Sequence, residues 1–191
     1  MPSVQSVLAG DVLLEDNFAS LDPGWGTLDE NWKVQAGKLI ITAAPNEGYQ
    51  VLNNSNVFDD ADITVNVMQA EGGDSSRAGG LVFWGKDYDN YYLLAVTTDG
   101  SAAISRCVGK RWLYPMPYKP NDAVKKGFGE SNTLRVVTKG HQAFAYINDK
   151  QVAKIKGQPP DGGGQVGMFG ESGEKLRNIW QFSDFKVTAP Q

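Results

Sequence analysis

Residues 79–108 read GGLVFWGKDYDNYYLLAVTTDGSAAISRCV, and the fold is decided in this stretch. Three runs rich in aromatic, β-branched and aliphatic residues, Gly79–Trp84, Tyr91–Thr98 and Ser101–Val108, are separated by punctuation. The first break is the polar turn Gly85–Asn90; the second is Asp99-Gly100, a two-residue hairpin signal. Each run is the length of a strand and too short for a helix of ordinary size. Leu81 and Phe83 alternate with Val82 and Trp84, and Tyr91, Leu93 and Ala95 with Tyr92, Leu94 and Val96. Both faces of these strands are therefore apolar. One must be a core, and the other must line a groove or be covered.

Outward from this stretch the same grammar continues. Asp62–Gln69 places Ile63, Val65 and Val67 between Asp62, Thr64 and Asn66, a strand with one dry and one wet face. Before it come Leu13–Phe18, Trp32–Gln35, Lys38–Ala43 and Tyr49–Leu52, the middle two joined at Ala36-Gly37. After Val108, Gly109-Lys110 leads into Arg111–Tyr114. A Pro-rich, polar excursion is then expected over 115–131. Strands resume at Thr133–Thr138, Gln142–Ile147, Gln151–Ile155, Gly164–Phe169 and Trp180–Thr188, with Asn148-Asp149 as a further hairpin turn. About a dozen short strands at this spacing, with no long helical period and no internal repeat, predict an all-β sandwich or barrel. Residues 13–191 are expected to form one β-sandwich domain after an N-terminal extension over 1–12. Trp32 and Trp180 are assigned to its core.

Composition narrows the class. A chain of 191 residues suits one all-β domain. The formal net charge is −4 and the isoelectric point about 5.0, without a basic stripe, so nucleic acid is not an expected partner. Cys107 is the only cysteine, which excludes an intrachain disulfide, and its setting among small and apolar residues reads as buried and inert. No run approaches the ~18 apolar residues of a membrane span. Met1–Ser6 lacks the basic and apolar regions of a signal peptide. The location expected is secreted or periplasmic with the leader absent from this sequence, a cytoplasmic protein being the alternative.

Several segments resemble the concanavalin A-like lectin/glucanase superfamily, especially its bacterial laminin-G-like and sugar-hydrolase-like branch. They are Asp16-Asn17-Phe18, Trp32 before Gly37–Ile41, Ala78–Trp84, Asn90–Leu94, Asn132–Val137, Ile147–Asp149, Gly167–Phe169 and Phe182–Val187. The likeness runs from about residue 13 to 188 and implies a two-sheet antiparallel jelly-roll sandwich with one concave face. Members of that superfamily include lectins, carbohydrate-binding modules, hydrolases and adhesive domains, so the resemblance specifies fold and leaves function open.

The jelly-roll glucanases of that superfamily carry Glu-x-Asp-x-x-Glu on one strand, where alternation turns the carboxylates into a cleft. Glu15, Glu30, Glu47, Glu71, Glu130, Glu171 and Glu174 all fail this spacing. Glu171 and Glu174 read as a solvated acidic turn, and Asp59, Asp60 and Asp62 as solvated residues before a strand. His141, the sole histidine, sits in a turn with no Gly-x-Ser-x-Gly elbow in the chain, and one His with one Cys makes no zinc site. No catalytic residue is nominated.

Sugars present apolar C–H faces and hydroxyl edges, so their sites pair exposed rings with planar polar groups. On that ground Trp84, Tyr92, Arg106, Trp112 and Tyr114 are the candidate carbohydrate-binding patch, against ordinary packing of large residues. Calcium is the one cofactor considered. The resemblance sets Asp16 and Asp184 on neighbouring terminal strands as candidate ligands, and Asp87, Asp89 and Asn90 form a second oxygen-rich turn. Calcium asks for six to eight oxygens, more than two carboxylates supply. The leading expectation is an extracytoplasmic, lectin-like, non-catalytic domain that recognises a polysaccharide or glycan. Two alternatives stand: a jelly-roll glycoside hydrolase lacking the usual motif, and a structural or protein-interaction sandwich.

Overall fold

A computed structural model describes residues 8–70 and 73–191, and among them fourteen strands and one short 3₁₀ turn. The strands are β1 (Val12–Asp16), β2 (Trp32–Gln35), β3 (Lys38–Ile41), β4 (Gly48–Leu52), β5 (Asp62–Gln69), β6 (Ala78–Asp87) and β7 (Asn90–Thr97). They continue as β8 (Ser101–Val108), β9 (Arg111–Pro120), β10 (Ser131–Lys139), β11 (Gln142–Ile147), β12 (Lys150–Lys156), β13 (Gln165–Glu171) and β14 (Trp180–Thr188). One sheet runs β12-β11-β10-β5-β14-β3-β2, with β1 also paired to β14; the other runs β4-β13-β6-β7-β8-β9. We call these the first and second sheets. All their pairings are antiparallel, and the two stack as a jelly-roll sandwich. Of the extension expected over 1–12, residues 1–7 lie outside the described residues, and Val12 already opens β1.

Turn chemistry fixes the hairpin registers. Asn148 and Asp149 both adopt positive φ (49° and 66°), as do Gly109 and Lys110 (54° and 67°). Two consecutive left-handed residues twist a two-residue loop the way flanking strands require. The Asn148 side chain adds to this: its Oδ1 accepts from Thr133 N at 2.9 Å and its Nδ2 donates to Ala123 O at 2.8 Å.

The core lies between the sheets. Val65, Val67, Phe182 and Val187 of the first face Leu81, Phe83, Leu94, Ile104 and Met168 of the second. Trp32 and Trp180 are both buried in it, as the sequence predicts. Trp180 fits because Gly79 and Gly170 oppose one another across β6 and β13. A Cβ on Gly79 would lie 2.2 Å from the indole, and one on Gly170 2.7 Å from it. A smaller apolar cluster of Val82, Leu93, Ala95, Tyr91, Cys107 and Phe169 covers the outer face of the second sheet.

Two expectations are corrected. The irregular excursion does not begin at 115, because β9 continues to Pro120 through three prolines. That is possible because β9 is the edge strand, where a missing N–H costs no ladder bond on the open side. Asp62 is not simply solvated: Arg135 holds both its oxygens, Nε to Oδ1 at 2.7 Å and Nη2 to Oδ2 at 2.6 Å.

Candidate functional site

The five residues nominated as one patch are divided by the second sheet, and only around its β9 edge do Tyr92, Arg106 and Tyr114 line one cavity. Trp112 and Tyr114 stand on its outer face, 40% and 50% exposed. Trp84 and Tyr92, 4% and 3% exposed, belong to the inner core, with Arg106 stacked over the Tyr92 ring at 5.0 Å. Tyr92 and Arg106 are cross-strand partners that the regular alternation of β7 and β8 turns inward, and Trp84 joins them through a β-bulge. Gln165 pairs with Gly85 and Gly167 with Val82, so Phe83 and Trp84 together oppose Val166. The extra residue breaks the alternation that would have turned Trp84 outward, and Trp84 takes φ +48°.

The outer face carries a groove of about 710 Å³, a volume typical of small-molecule sites. One wall is β9, whose Trp112, Tyr114 and Tyr118 rings stand up from the sheet edge. Trp112 meets Tyr91 edge-on at 5.8 Å and Phe169 at 6.1 Å, and Tyr114 meets Tyr118 at 6.1 Å. Phe169 lies flat over β4 because Gly48 has no side chain; a Cβ there would come within 2.5 Å of the ring.

The polar end is built by Glu171 and Arg77. Glu171 ends β13 on the same face as Phe169, and its carbonyl accepts from Trp180 Nε1 at 2.9 Å, which ties that strand end to the core. Its carboxylate accepts from Ala78 N at 3.3 Å and lies 3.5 Å from Arg77 Nη1. Arg77 Nε lies 3.4 Å from Asp74 Oδ2 but is not aligned to donate, so the ion pair leaves guanidinium donors uncommitted. Asp74 is held below the usual carboxylate range, chiefly by the Ser76 hydroxyl and amide and less by Arg77.

Two phenols complete the site. Burial pushes Tyr91 up, with contributions from Cys107, Asp89 and Glu171; Tyr118 is raised by desolvation first and Glu171 second. Tyr118 is 41% exposed as a residue, so the desolvated part is its hydroxyl, beside Ser105. At neutral pH both phenols are protonated donors facing a carboxylate.

Glu171, Arg77, Tyr91 and Tyr118 line the groove but stand outside the five nominated residues. Continuing the alternation of Gly167 and Phe169 by two residues places Glu171 on the outer face, so its signal was present; that of Arg77, just before β6, was not. Cys107 is buried in the groove floor as expected, and burial raises its thiol. His141 is exposed in its turn.

Asp16 and Asp184 do line one shallow cavity, but both are already engaged. Asp16 accepts from Phe18 N and Trp25 Nε1, each at 2.7 Å, and Asp184 accepts from Asn66 Nδ2 at 2.8 Å and Ser183 Oγ at 2.9 Å. Asp87 Oδ1 is likewise occupied by Asp89 N and Asn90 Nδ2. No group of three or more His, Cys, Asp or Glu suited to a metal occurs among the described residues. Glu71, whose spacing also fails the glucanase motif, lies outside them.

A family model described as a 3-keto-alpha-glucoside-1,2-lyase-like domain matches residues 15–186. The chain belongs to that family. Its fold is concanavalin A-like, and no curated protein matches the chain. Among solved structures, the carbohydrate-binding module CBM66 from Bacillus subtilis is similar at 16% identity and TM-score 0.69, over 86% of this chain and 95% of that one. A GH43 protein from Bacillus licheniformis is similar at 14% identity and TM-score 0.70, over 92% of this chain and 39% of its own. A xylan beta-1,4-xylosidase from Bacillus halodurans gives 15% identity and TM-score 0.64, over 98% and 41%. These likenesses show the fold; the membership of the lyase-like family ties the chain to carbohydrate chemistry. No helix among the described residues is long and apolar enough to cross a membrane.

Proposed function

We propose that this protein recognises a glycoside in the groove on the outer face of its second sheet, outside the cytoplasm. The observation that carries the reading is a row of exposed rings along β9 facing a carboxylate–guanidinium pair across an apolar floor. Sugar C–H faces lie on Trp112 and Tyr114, while hydroxyls find acceptors in Glu171 and donors in Arg77 and the neutral phenols. The site suits one or two sugar rings with charge-assisted hydrogen bonds at one end.

The test is a panel of glycosides titrated into the wild type and into Tyr114→Ala and Glu171→Gln. The half-exposed Tyr114 contributes little to folding, so its loss leaves Tm in place. Affinity falls by about tenfold, or about 1.4 kcal/mol, with one stacking ring removed. A silent panel, or affinities indifferent to both substitutions, overturns the reading.

A second reading, favoured by the family and by the carboxylate among phenols, is elimination from a 3-keto-α-glucoside. Glu171 takes the proton from the carbon between the ketone and the anomeric centre, and the C–H electron pair passes into the enolate. That pair then expels the glycosidic oxygen, which takes a proton from Tyr91 or Tyr118. An unsaturated keto sugar and a free alcohol result, with no change in overall oxidation state. Formation of a conjugated enone, read by absorbance and lost in Glu171→Gln, separates catalysis from binding alone.

A further inference from the structure

Arg77 and Glu171, the charged pair at the polar end of the groove, meet just past Gly79 and Gly170, the last residues that β6 and β13 pair. Beyond that point the ladder no longer sets their spacing. A buried polar junction does so instead. Asn178, in the segment between β13 and β14, is 0% exposed, as are Ser172 and Gln69 beside it. Its carboxamide spends both ends on one residue: Oδ1 accepts from Asp74 N at 2.8 Å, and Nδ2 donates to Asp74 O at 3.0 Å. A carboxamide carries donor and acceptor in one plane, so it can hold a backbone residue as a neighbouring strand would.

The other side of the junction is tied by the same residue. Asn178 N donates to Ser172 Oγ at 2.9 Å, and Ser172 Oγ donates to Ala43 O at 2.8 Å. Asn178 therefore holds the residue three before Arg77 through its side chain and the residue after Glu171 through its main chain. Gln69 Nε2 also donates to Asp74 O, at 3.1 Å, and Gln69 Oε1 accepts from Thr98 Oγ1 at 2.8 Å. There is no slack in this arrangement. A Cβ on Gly73 would lie 2.3 Å from Asn178 Oδ1, and one on Gly173 2.7 Å from Asp74 Cβ. The turn that is held leads directly to the groove: Asp74 Oδ1 accepts from Ser76 N at 2.9 Å and Ser76 Oγ at 2.7 Å, and Oδ2 lies 3.4 Å from Arg77 Nε. Asn178 itself is not part of the groove wall.

We propose that Asn178 is a positioning residue of the groove, which clamps the Asp74–Arg77 turn to the end of β13 and so sets Arg77 against Glu171. This rests on the groove reading above and adds to it a residue that acts on the ligand only through Arg77.

The experiment compares wild type, Asn178→Ala and Gly73→Ala by NMR, following the Arg77 Nε–Hε cross-peak and the titration of the Asp74 carboxyl, and then titrates the glycoside panel into each. In Asn178→Ala the Arg77 cross-peak is expected to move. The Asp74 carboxyl should titrate nearer its ordinary 3.8, because Ser76 is no longer held on it. Affinity for glycosides should fall by about tenfold, the worth of one charge-assisted hydrogen bond, with the Trp112 indole cross-peak in place. Gly73→Ala, which keeps Asn178 but crowds its Oδ1, should move the same readouts less, and it decides alone if Asn178→Ala does not fold. A lower Tm with Arg77 and Asp74 both unmoved makes the junction structural only and overturns the proposal. So does a moved Arg77 with glycoside affinity unchanged. A panel silent toward the wild type instead refutes the groove reading, and the two NMR readouts still confirm or refute the clamp.

Discussion

Gly48→Ala tests the groove floor through a residue that touches no ligand. Gly48 sits exposed at the start of edge strand β4, with no positive φ. By local reasoning alanine there stabilises by about 0.4–1 kcal/mol through the unfolded chain. The packing says otherwise. The new Cβ would lie 2.5 Å from Phe169 Cζ and 2.8 Å from Cε2. Ordinary contact begins near 3.4 Å, so the ring must move by 3.4 − 2.5 = 0.9 Å or more. It is 5% exposed and meets Trp112 edge-on, so a shift of the ring also disturbs that contact in the groove. Overpacking of this kind costs about 1–3 kcal/mol, so the net effect is a loss of about 1–2 kcal/mol. In a domain of this size that lowers Tm by about 2–8 °C. Urea unfolding and the Trp112 indole resonance are the two readouts, with glycoside affinity falling alongside. Phe169→Leu in the Gly48→Ala background should recover part of the loss, since the pair shares one contact. A Gly48→Ala protein as stable as the wild type, with an unmoved Trp112 resonance, refutes the argument.

The remaining outcomes each rest on the contacts of one or two side chains. Asn148→Ala removes hydrogen bonds to Thr133, Ala123 and Asn132 at a positive-φ turn and should cost about 2–4 kcal/mol in chemical denaturation, whereas Asp149→Gly, at φ 66°, should be neutral or stabilising. Asp74 has a folded pKa below its ordinary 3.8, so its contribution is present above that value and lost as pH falls through the folded value; the Tm advantage of wild type over Ser76→Ala should therefore vanish in acid. Cys107 should react slowly with a disulfide reagent in the native protein at neutral pH, because burial raises its thiol, and faster in Trp112→Ala, which uncovers it. Asp16→Ala should lower Tm equally with calcium and with chelator, since both its oxygens bind the protein's own N–H groups.

The architecture was legible because alternation and turn chemistry agree along nearly the whole chain. Asp62–Gln69, Ser101–Val108, Gln142–Ile147 and Trp180–Thr188 are strands with the bounds their patterns predict, and Asn148-Asp149 turns as its residue types require. The site was legible only in part. Trp112 and Tyr114 follow the two-residue Gly109-Lys110 turn and stand exposed, where rings were sought. Arg77 has no pattern of its own and becomes significant only when Glu171 is brought beside it from 94 residues away. The β9 prolines argued against a strand locally, and only the position of β9 at a sheet edge, a tertiary fact, permits one.

Trp84 shows why face assignment and strand assignment fail independently. A period of two is a local rule that survives only while each residue faces one partner, and an inserted residue reverses the parity of every later position in the strand. Strand β6 is continuous through Trp84, so composition and length identify it correctly, yet the bulge at Phe83–Trp84 is written in the partner strand's register. The consequence is chemical. Had parity held, Trp84 would have joined Trp112 over one groove, and Arg106 would have lost the aromatic wall against which Tyr92 is packed edge-on at 5.2 Å. The five would then have been split three to two, with only Tyr92 and Arg106 facing inward on the regular strands β7 and β8. With the bulge they make two environments of opposite character, one of exposed rings beside a carboxylate, the other a recessed donor beside a cation. A substitution that straightens β6 should therefore turn Trp84 outward and change glycoside affinity in the groove, which is the outcome to measure.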